Sequence, residues 1–291
     1  MAAIERILFP VDFSERCSGA ARYVEVFAGR GEAEVTLLHI DVPPDPVWGL
    51  PDYFDADVWA QFLVERRAKL EERLQSFLAE ELKHFRVVRK LCEGDPARRI
   101  LEYAAANKPD LIMMPTHGLG IFRRYILGSV TAKVLHDAQC PVWTAAHTEL
   151  APPLEQIHVG RMLCAIEPGP EATKVLQWAA GLAREFDSEL MVAHAVPIEQ
   201  SRPAKYLNSE FFAGLVKDAE TAIRELQNQI GTQAPVLIEG GRPAEVIHDL
   251  AAKAKADLVL IGRTGATKGI GRLRTNGYAI IRSSPCPVVS V

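Results

Sequence analysis

Apolar positions along this chain fall into two alternating textures. Short, nearly continuous runs of branched apolar residues ("RILFPVD", "EVTLLHI", "FRVVRKL", "DLIMMP", "PVWTA") are separated by stretches in which apolar residues recur at helical spacing. The runs predict strands. "SERCSGAARYVEVFAGR" predicts a helix with Ser14 as its N-cap. Leu63, Leu70, Leu74, Phe77, Leu78 and Leu82 form the stripe of a second helix, "PARRILEYAAAN" predicts a third with Pro96 in its first turn, and "SVTAKVLHDA" a fourth. Strands alternating with helices imply a parallel sheet covered on both faces. The unbroken apolar content of "DLIMMP" and of the later "DLVLIG" is what a strand buried on both sides requires.

The whole pattern then repeats. "ERILFPVDFS" at 5–14 matches "GRMLCAIEPG" at 160–169, and "AEVTLLHIDVP" at 33–43 matches "SELMVAHAVP" at 188–197. "EGDPARRILEYAAANKPDLIMMPTHG" at 93–118 matches "EGGRPAEVIHDLAAKAKADLVLIGRTG" at 239–265, and "CPVWTA" at 140–145 matches "CPVVSV" at 286–291. The order is kept, so one domain has been duplicated. The expectation is an α/β fold of two tandem Rossmann-like domains, 1–148 and 156–291, each a five-stranded, mainly parallel sheet with helices on both faces. "HTELAPPLEQ" at 147–156 reads as the linker. The last strand of each repeat lies at a sheet edge, and an exposed edge invites pairing, so the two "CPV" strands are expected to join the halves as a pseudo-dimer.

Composition narrows the class. Hydrophobic residues make up 48% and charged residues 24%, ordinary for a globular protein, and the net charge of −4 argues against a general nucleic-acid or membrane-surface role. No apolar run approaches the roughly 20 residues that span a bilayer. "MAAIERILFPVDFSE" does not read as a secretory leader, and a cytoplasmic protein is the expectation. Cys17, Cys92, Cys140, Cys164 and Cys286 form no Cys-x-x-Cys pair, and their odd number points to buried free thiols rather than a disulfide framework or zinc site. Cys140 and Cys286 read as small core residues.

The candidate chemistry lies in "MMPTHGLGIFRRYILGSVT", 113–131. In a doubly wound sheet, ligands bind beyond the carboxyl ends of strands where the strand order reverses. For order 3-2-1-4-5 that point lies between strands one and four. Asp12 at the end of strand one and the glycine loop after strand four favour this order. Gly118 and Gly128 can adopt positive φ and let backbone N–H groups approach an anion. Ser129 opens a helix whose first N–H groups and dipole favour negative charge. The hydroxyls of Ser129 and Thr131 can bond phosphate oxygens, whereas Arg123 and Arg124 read first as solvated surface. There is no P-loop Gly-x-x-x-x-Gly-Lys-Ser/Thr; a dinucleotide fingerprint would need glycine at Arg123; no Gly-x-Ser-x-Gly elbow or His-Glu-x-x-His helix occurs.

"ILFPVDFSE", "LLHI", and "HG" followed after nine residues by "GSVT" resemble the universal stress protein family, over essentially the whole chain and twice. The resemblance implies adenine nucleotide alpha hydrolase-like domains and an ATP site, with or without Mg, in the first half. It implies that Asp12 and the backbone of Ile40 face the adenine and ribose end, that Met114 and Pro115 line the pocket, and that Gly118, Gly128, Ser129, Val130 and Thr131 hold the phosphates; Pro10, Val11 and the loop residue His117 complete the candidate binding residues. Pro115 stands where the family's first motif glycine is expected, and proline has no N–H to offer.

The second half keeps Gly262 and Gly265, but nine residues on Thr275 stands for the glycine and Asn276 for the serine, and Glu167 replaces Asp12. A β-branched residue does not suit a left-handed conformation, so this half is expected to bind nucleotide weakly or not at all unless Gly269, Gly271 or Gly277 serves a shifted loop. His39 and His194, at matching positions, read as satisfied core histidines. Trp48, Tyr53, Phe54 and Trp59 mark a segment that lids the pocket, contacts the other half, or is a packed loop with no binding role. No general base or nucleophile stands beside the phosphates, which leaves at most a slow ATPase. A scaffold that binds no nucleotide and acts through protein contacts is the rival reading, and a homodimer of the tandem chain stays open.

Overall fold

The computed structural model describes residues 4–44, 56–117, 127–146, 148–196, 209–263 and 273–291. The first half runs β1 (Arg6–Pro10), α1 (Glu15–Gly31), β2 (Glu34–Asp41), α2 (Ala56–Ser76), β3 (Val87–Glu93), α3 (Pro96–Asn107), β4 (Leu111–Met113), α4 (Ser129–Asp137) and β5 (Val142–Thr144). The second repeats it as β6 (Arg161–Ala165), α5 (Pro170–Phe186), β7 (Glu189–Val196), α6 (Ser209–Ile230), β8 (Val236–Gly240), α7 (Pro243–Ala254), β9 (Leu258–Ile261), α8 (Leu273–Ser283) and β10 (Val288–Ser290).

All ten strands form one sheet in the order β3-β2-β1-β4-β5-β10-β9-β6-β7-β8. Each half therefore has the 3-2-1-4-5 order, with its switch point between its first and fourth strands. Pairing is parallel except at the seam, where β5 and β10 run antiparallel. Trp143 pairs with Val289, its own repeat equivalent, so a pseudo-twofold axis passes between them. Across the seam Phe27 of α1 packs on Phe186 of α5, ring centroids 5.0 Å apart, on one face of the sheet. On the other face the Tyr278 hydroxyl of α8 donates to the Ala132 carbonyl of α4 at 2.9 Å. Both apolar layers run through the two halves without a break.

Local signals explain most boundaries. Ser14 accepts the Cys17 N–H at 3.3 Å and starts α1; Asp95 accepts the Arg98 N–H at 2.8 Å and starts α3. The second helix is shorter than its stripe. It ends at Ser76, and Phe77, Leu78 and Leu82 lie in the turns that follow, Leu78 at a φ of 55°. The Arg89 guanidinium on β3 donates to the carbonyls of Leu74 (2.9 Å) and Phe77 (3.3 Å), which satisfies the helix end where it stops. Leu78 and Leu82 still reach the core, so periodicity persisted after the helix had ended.

The linker is not a loose tether. Thr148–Leu150 forms a 3-10 turn against α1: the Thr148 hydroxyl donates to Arg16 O at 2.9 Å, Glu149 pairs with Arg16 at 3.1 Å, and Arg22 donates to the carbonyls of Ala151 and Pro152. The chain passes so close that a Cβ on Gly19 would lie 1.7 Å from the Thr148 oxygen.

Candidate functional site

The ends of β1 and β4 are neighbours in the sheet, so the crevice beyond them is built from Pro10, Val11 and Asp12 on one side and Met114 through His117 on the other. The Val11 N–H donates to Leu38 O at 2.9 Å, and its own carbonyl accepts the His39 Nδ1–H at 2.8 Å. His194 does the same for Ile166 at 2.9 Å. Both histidines are therefore structural props for the end of the first strand in their half. Burial pulls His39 below its ordinary pKa, against the Val11 carbonyl and the charges of Asp41 and Asp12.

Asp12 organises the turn into α1. Its Oδ1 accepts the Ser14 N–H at 3.1 Å and the Cys17 Sγ–H at 3.1 Å. Ser14, not Asp12, caps the helix. The Cys17 thiol is pushed up to about 12, by burial first and then by the Asp12 charge, so it remains a protonated donor. Phe13, between them, takes a φ of 62°; its ring lies 4.3 Å from His39 and 5.2 Å from Phe77, with the Arg73 guanidinium 4.4 Å over its face. Ile40 is half-buried at the end of β2, next to Asp41, which Arg66 grips at 2.6 Å.

On the other side, Met114 is buried and bonded by its N–H to Trp143 O at 3.1 Å. The Pro115 carbonyl accepts the Thr131 hydroxyl at 3.1 Å. Thr116 is a junction: its N–H and hydroxyl both donate to Ala145 O (3.1 and 3.2 Å), its carbonyl accepts the Gly128 N–H at 2.8 Å, and its Oγ1 lies 2.9 Å from His117 Nδ1. With the hydroxyl proton spent on Ala145, His117 Nδ1 is the donor in that last bond. α4 starts without a side-chain cap at Gly128, unlike α1 and α3, and its first internal bond is Ala132 N–H to Gly128 O at 2.8 Å. Ser129 is exposed and Val130 half-buried on that first turn. The neighbouring ends of β1 and β4 thus lead to a fixed carboxylate on one side and an uncapped helix start on the other, a combination suited to a ligand with hydroxyl donors at one end and an anionic group at the other.

The sequence model of the Universal stress protein family matches residues 3–145 and again 158–291. The chain belongs to the universal stress protein family. Universal stress protein MJ0531 of Methanocaldococcus jannaschii is 32% identical over 138 residues, 47% of this chain and 79% of that relative. A universal stress protein of Thermus aquaticus is 33% identical over 139 residues, 47% of this chain and 94% of its own length. The crystal structure of a universal stress protein from Archaeoglobus fulgidus superposes with a TM-score of 0.67 at 22% identity, over 98% of this chain and 95% of that one, a likeness of fold.

Within this universal stress protein, three expectations change. Gly128 has φ −61°, an extended backbone open to any residue. Space rather than conformation distinguishes the position, because a Cβ would crowd Thr116 O at 3.2 Å. Thr131 is 3% exposed and its proton is committed to Pro115, so it braces the helix from inside rather than presenting a donor to a ligand. In the second half, Val142 and Val288 are equivalents 146 residues apart, which sets Arg274, not Thr275, opposite Gly128. Thr275 lies inside α8, which begins at Leu273. A helical threonine carries no left-handed penalty, so the second half departs through an earlier helix start and the loss of one residue between β9 and β10.

Gly118, Gly120, Arg123, Arg124, Gly265, Gly269 and Gly271, and the aromatics Trp48, Tyr53 and Phe54, lie outside the described residues. Trp59 stacks on Phe62 within α2, 5.3 Å between centroids. Sequence reasoning missed Thr116 and the Cys17–Asp12 bond. The latter was available, since Cys17 falls on the first turn of the helix that Asp12 introduces. Among the described residues no group of three or more His, Cys, Asp or Glu is arranged to hold a metal, and no helix is long and apolar enough to cross a membrane.

Proposed function

We propose that the first half binds ATP, with or without Mg, in the crevice between β1 and β4, and that the nucleotide acts as an effector of a stress-response protein rather than as fuel for fast turnover. The observation that carries this reading is the juxtaposition of Asp12, locked by the Ser14 N–H and the Cys17 thiol, with the uncapped start of α4 at Gly128 and Ser129. Pro10, Val11 and Ile40 with Asp12 would meet the adenine and ribose, Met114, Pro115 and His117 would line the pocket, and Gly118, Gly128, Ser129 and Val130 would meet the phosphates. Thr131 would act indirectly, through Pro115. An ATP-selected conformation then alters what the protein contacts.

Isothermal titration of nucleotide-stripped protein with ATP-Mg tests this, with Gly128→Val as the control that fills the space beside Thr116. Heat in the parent and its loss in the variant support the reading. No heat at high micromolar protein and ligand sinks it. Pro115 favours one rival: without an N–H at that position, the fold would work as a protein-binding scaffold, and an unchanged melting temperature in millimolar ATP would be its signature.

A further inference from the structure

Arg263 carries a half-buried guanidinium that the nucleotide reading does not use. It follows β9, at the position equivalent to Thr116 in the first half (Leu111 matches Leu258, 147 residues on). Its side chain crosses the seam. Nη1 donates to the carbonyls of Ala138 (2.8 Å) and Leu135 (3.4 Å), and Nη2 to that of Cys140 (2.6 Å). These carbonyls belong to the last turn of α4, its C-cap Ala138 and the segment just beyond, where a cation is favoured by both hydrogen bonding and the helix dipole. Nearer the middle of α4, Tyr278 holds the Ala132 carbonyl at 2.9 Å. Tyr278 is the repeat equivalent of Ala132, 146 residues on, so this contact sits at the pseudo-twofold axis.

The arrangement runs one way. Thr116, the counterpart of Arg263, spends its hydroxyl within its own half on Ala145, and Ala132, the counterpart of Tyr278, has no polar side chain to send across. α4 has only 9 residues, too few to hold its own place by helical propensity, so tertiary contacts fix it. We propose that the second half serves as a clamp on α4, with Arg263 and Tyr278 as positioning residues that hold from across the seam the helix whose first turn faces the phosphate end of the crevice. The phosphate link rests on the ATP reading; the clamp itself does not.

The test uses the full chain carrying Arg263→Met, read by hydrogen exchange and by titration with ATP and with adenosine. Freed from its cap, α4 should exchange at least about tenfold faster while β2 amides stay unchanged, because the opening is local. ATP affinity should fall about three- to tenfold with adenosine affinity held within about twofold, since only the phosphate end leans on α4, and Arg263→Lys should recover part of the loss. Unchanged α4 exchange overturns the clamp. Equal weakening of ATP and adenosine overturns the link to phosphates, because general loosening would act on both. If the parent binds neither ligand, the ATP reading falls, and the exchange arm alone still supports or overturns the clamp. Should Arg263→Met fail to fold, Tyr278→Phe, which removes one hydroxyl, is expected to show the same pattern with smaller amplitude, and its absence overturns the proposal.

Discussion

Thr131 donates its hydroxyl proton to the carbonyl of Pro115 across 3.1 Å, tying the first turn of α4 to the end of β4. Both groups are buried. Thr131→Val keeps the shape and leaves the Pro115 carbonyl unsatisfied, which should cost about 1–3 kcal/mol in urea unfolding. ATP binding should weaken with it, and Thr131→Ser should restore both. A valine variant as stable as the parent would remove the brace from the account.

Gly19 gives the opposite of the usual helix result. Glycine to alanine inside a helix normally stabilises by about 0.5–1 kcal/mol. Here the new Cβ would meet Thr148 O at 1.7 Å and its carbon at 2.6 Å, both backbone atoms. Gly19→Ala should therefore destabilise by roughly 1–3 kcal/mol and release the Thr148–Leu150 turn, which becomes a site of limited proteolysis. A melting temperature at or above that of the parent contradicts this packing.

Asp12 has two separable duties. Asp12→Asn retains an oxygen for the Ser14 N–H and the Cys17 thiol but loses the charge. Stability should stay within about 1 kcal/mol while ATP affinity falls on the order of tenfold, the loss expected for a charge-assisted bond to a ribose hydroxyl. Asp12→Ala should lose both. Equal stability losses in the two variants would mean that the carboxylate is purely structural.

The pH dependence of stability has two limbs. Burial pushes Cys17, Cys164 and Cys286 up to about 12 from 9.0, so the unfolded chain releases these protons first; this stability is complete below about pH 9 and declines as pH rises toward 12. His39 is lowered by burial from 6.5, so the unfolded chain binds its proton first; that contribution is complete above about pH 6.5 and declines below it. Urea midpoints should be flat between these limits and fall on both sides. Cys164→Ala should flatten the alkaline limb, and an unchanged slope would show that the thiol does not titrate as described.

Strand runs, helix starts and the duplication were legible because each is written locally: Ser14 caps its helix and Pro96 opens the next as their residue types require, and the strands that begin in the matched "CPV" triplets do pair at the seam. The strand order, which sets the ends of the first and fourth strands side by side, was legible too. What escaped is set by distant partners. α2 stops at Ser76 because Arg89, on another strand, takes its last carbonyls. Thr131 looked like a ligand donor because nothing near it in sequence reveals that Pro115 accepts its proton. Gly128 looked like a conformational glycine, whereas Thr116, twelve positions earlier, crowds the place a Cβ would take. In the second half, matching the glycines by spacing placed Thr275 one residue off, because a residue is lost between β9 and β10, where the repeat offset falls from 147 at Leu258 to 146 at Val288.

At the seam, Trp143 faces Val289 and Tyr278 faces Ala132, equivalents that are no longer alike. In a dimer of identical chains one gene specifies both sides, so an arginine gained at one copy of a position appears at the other as well. Joining the copies in a single chain removes that constraint. Thr116 and Arg263 could then diverge, one toward the crevice and the other toward its neighbour's helix, and a symmetric partnership could become a division of labour.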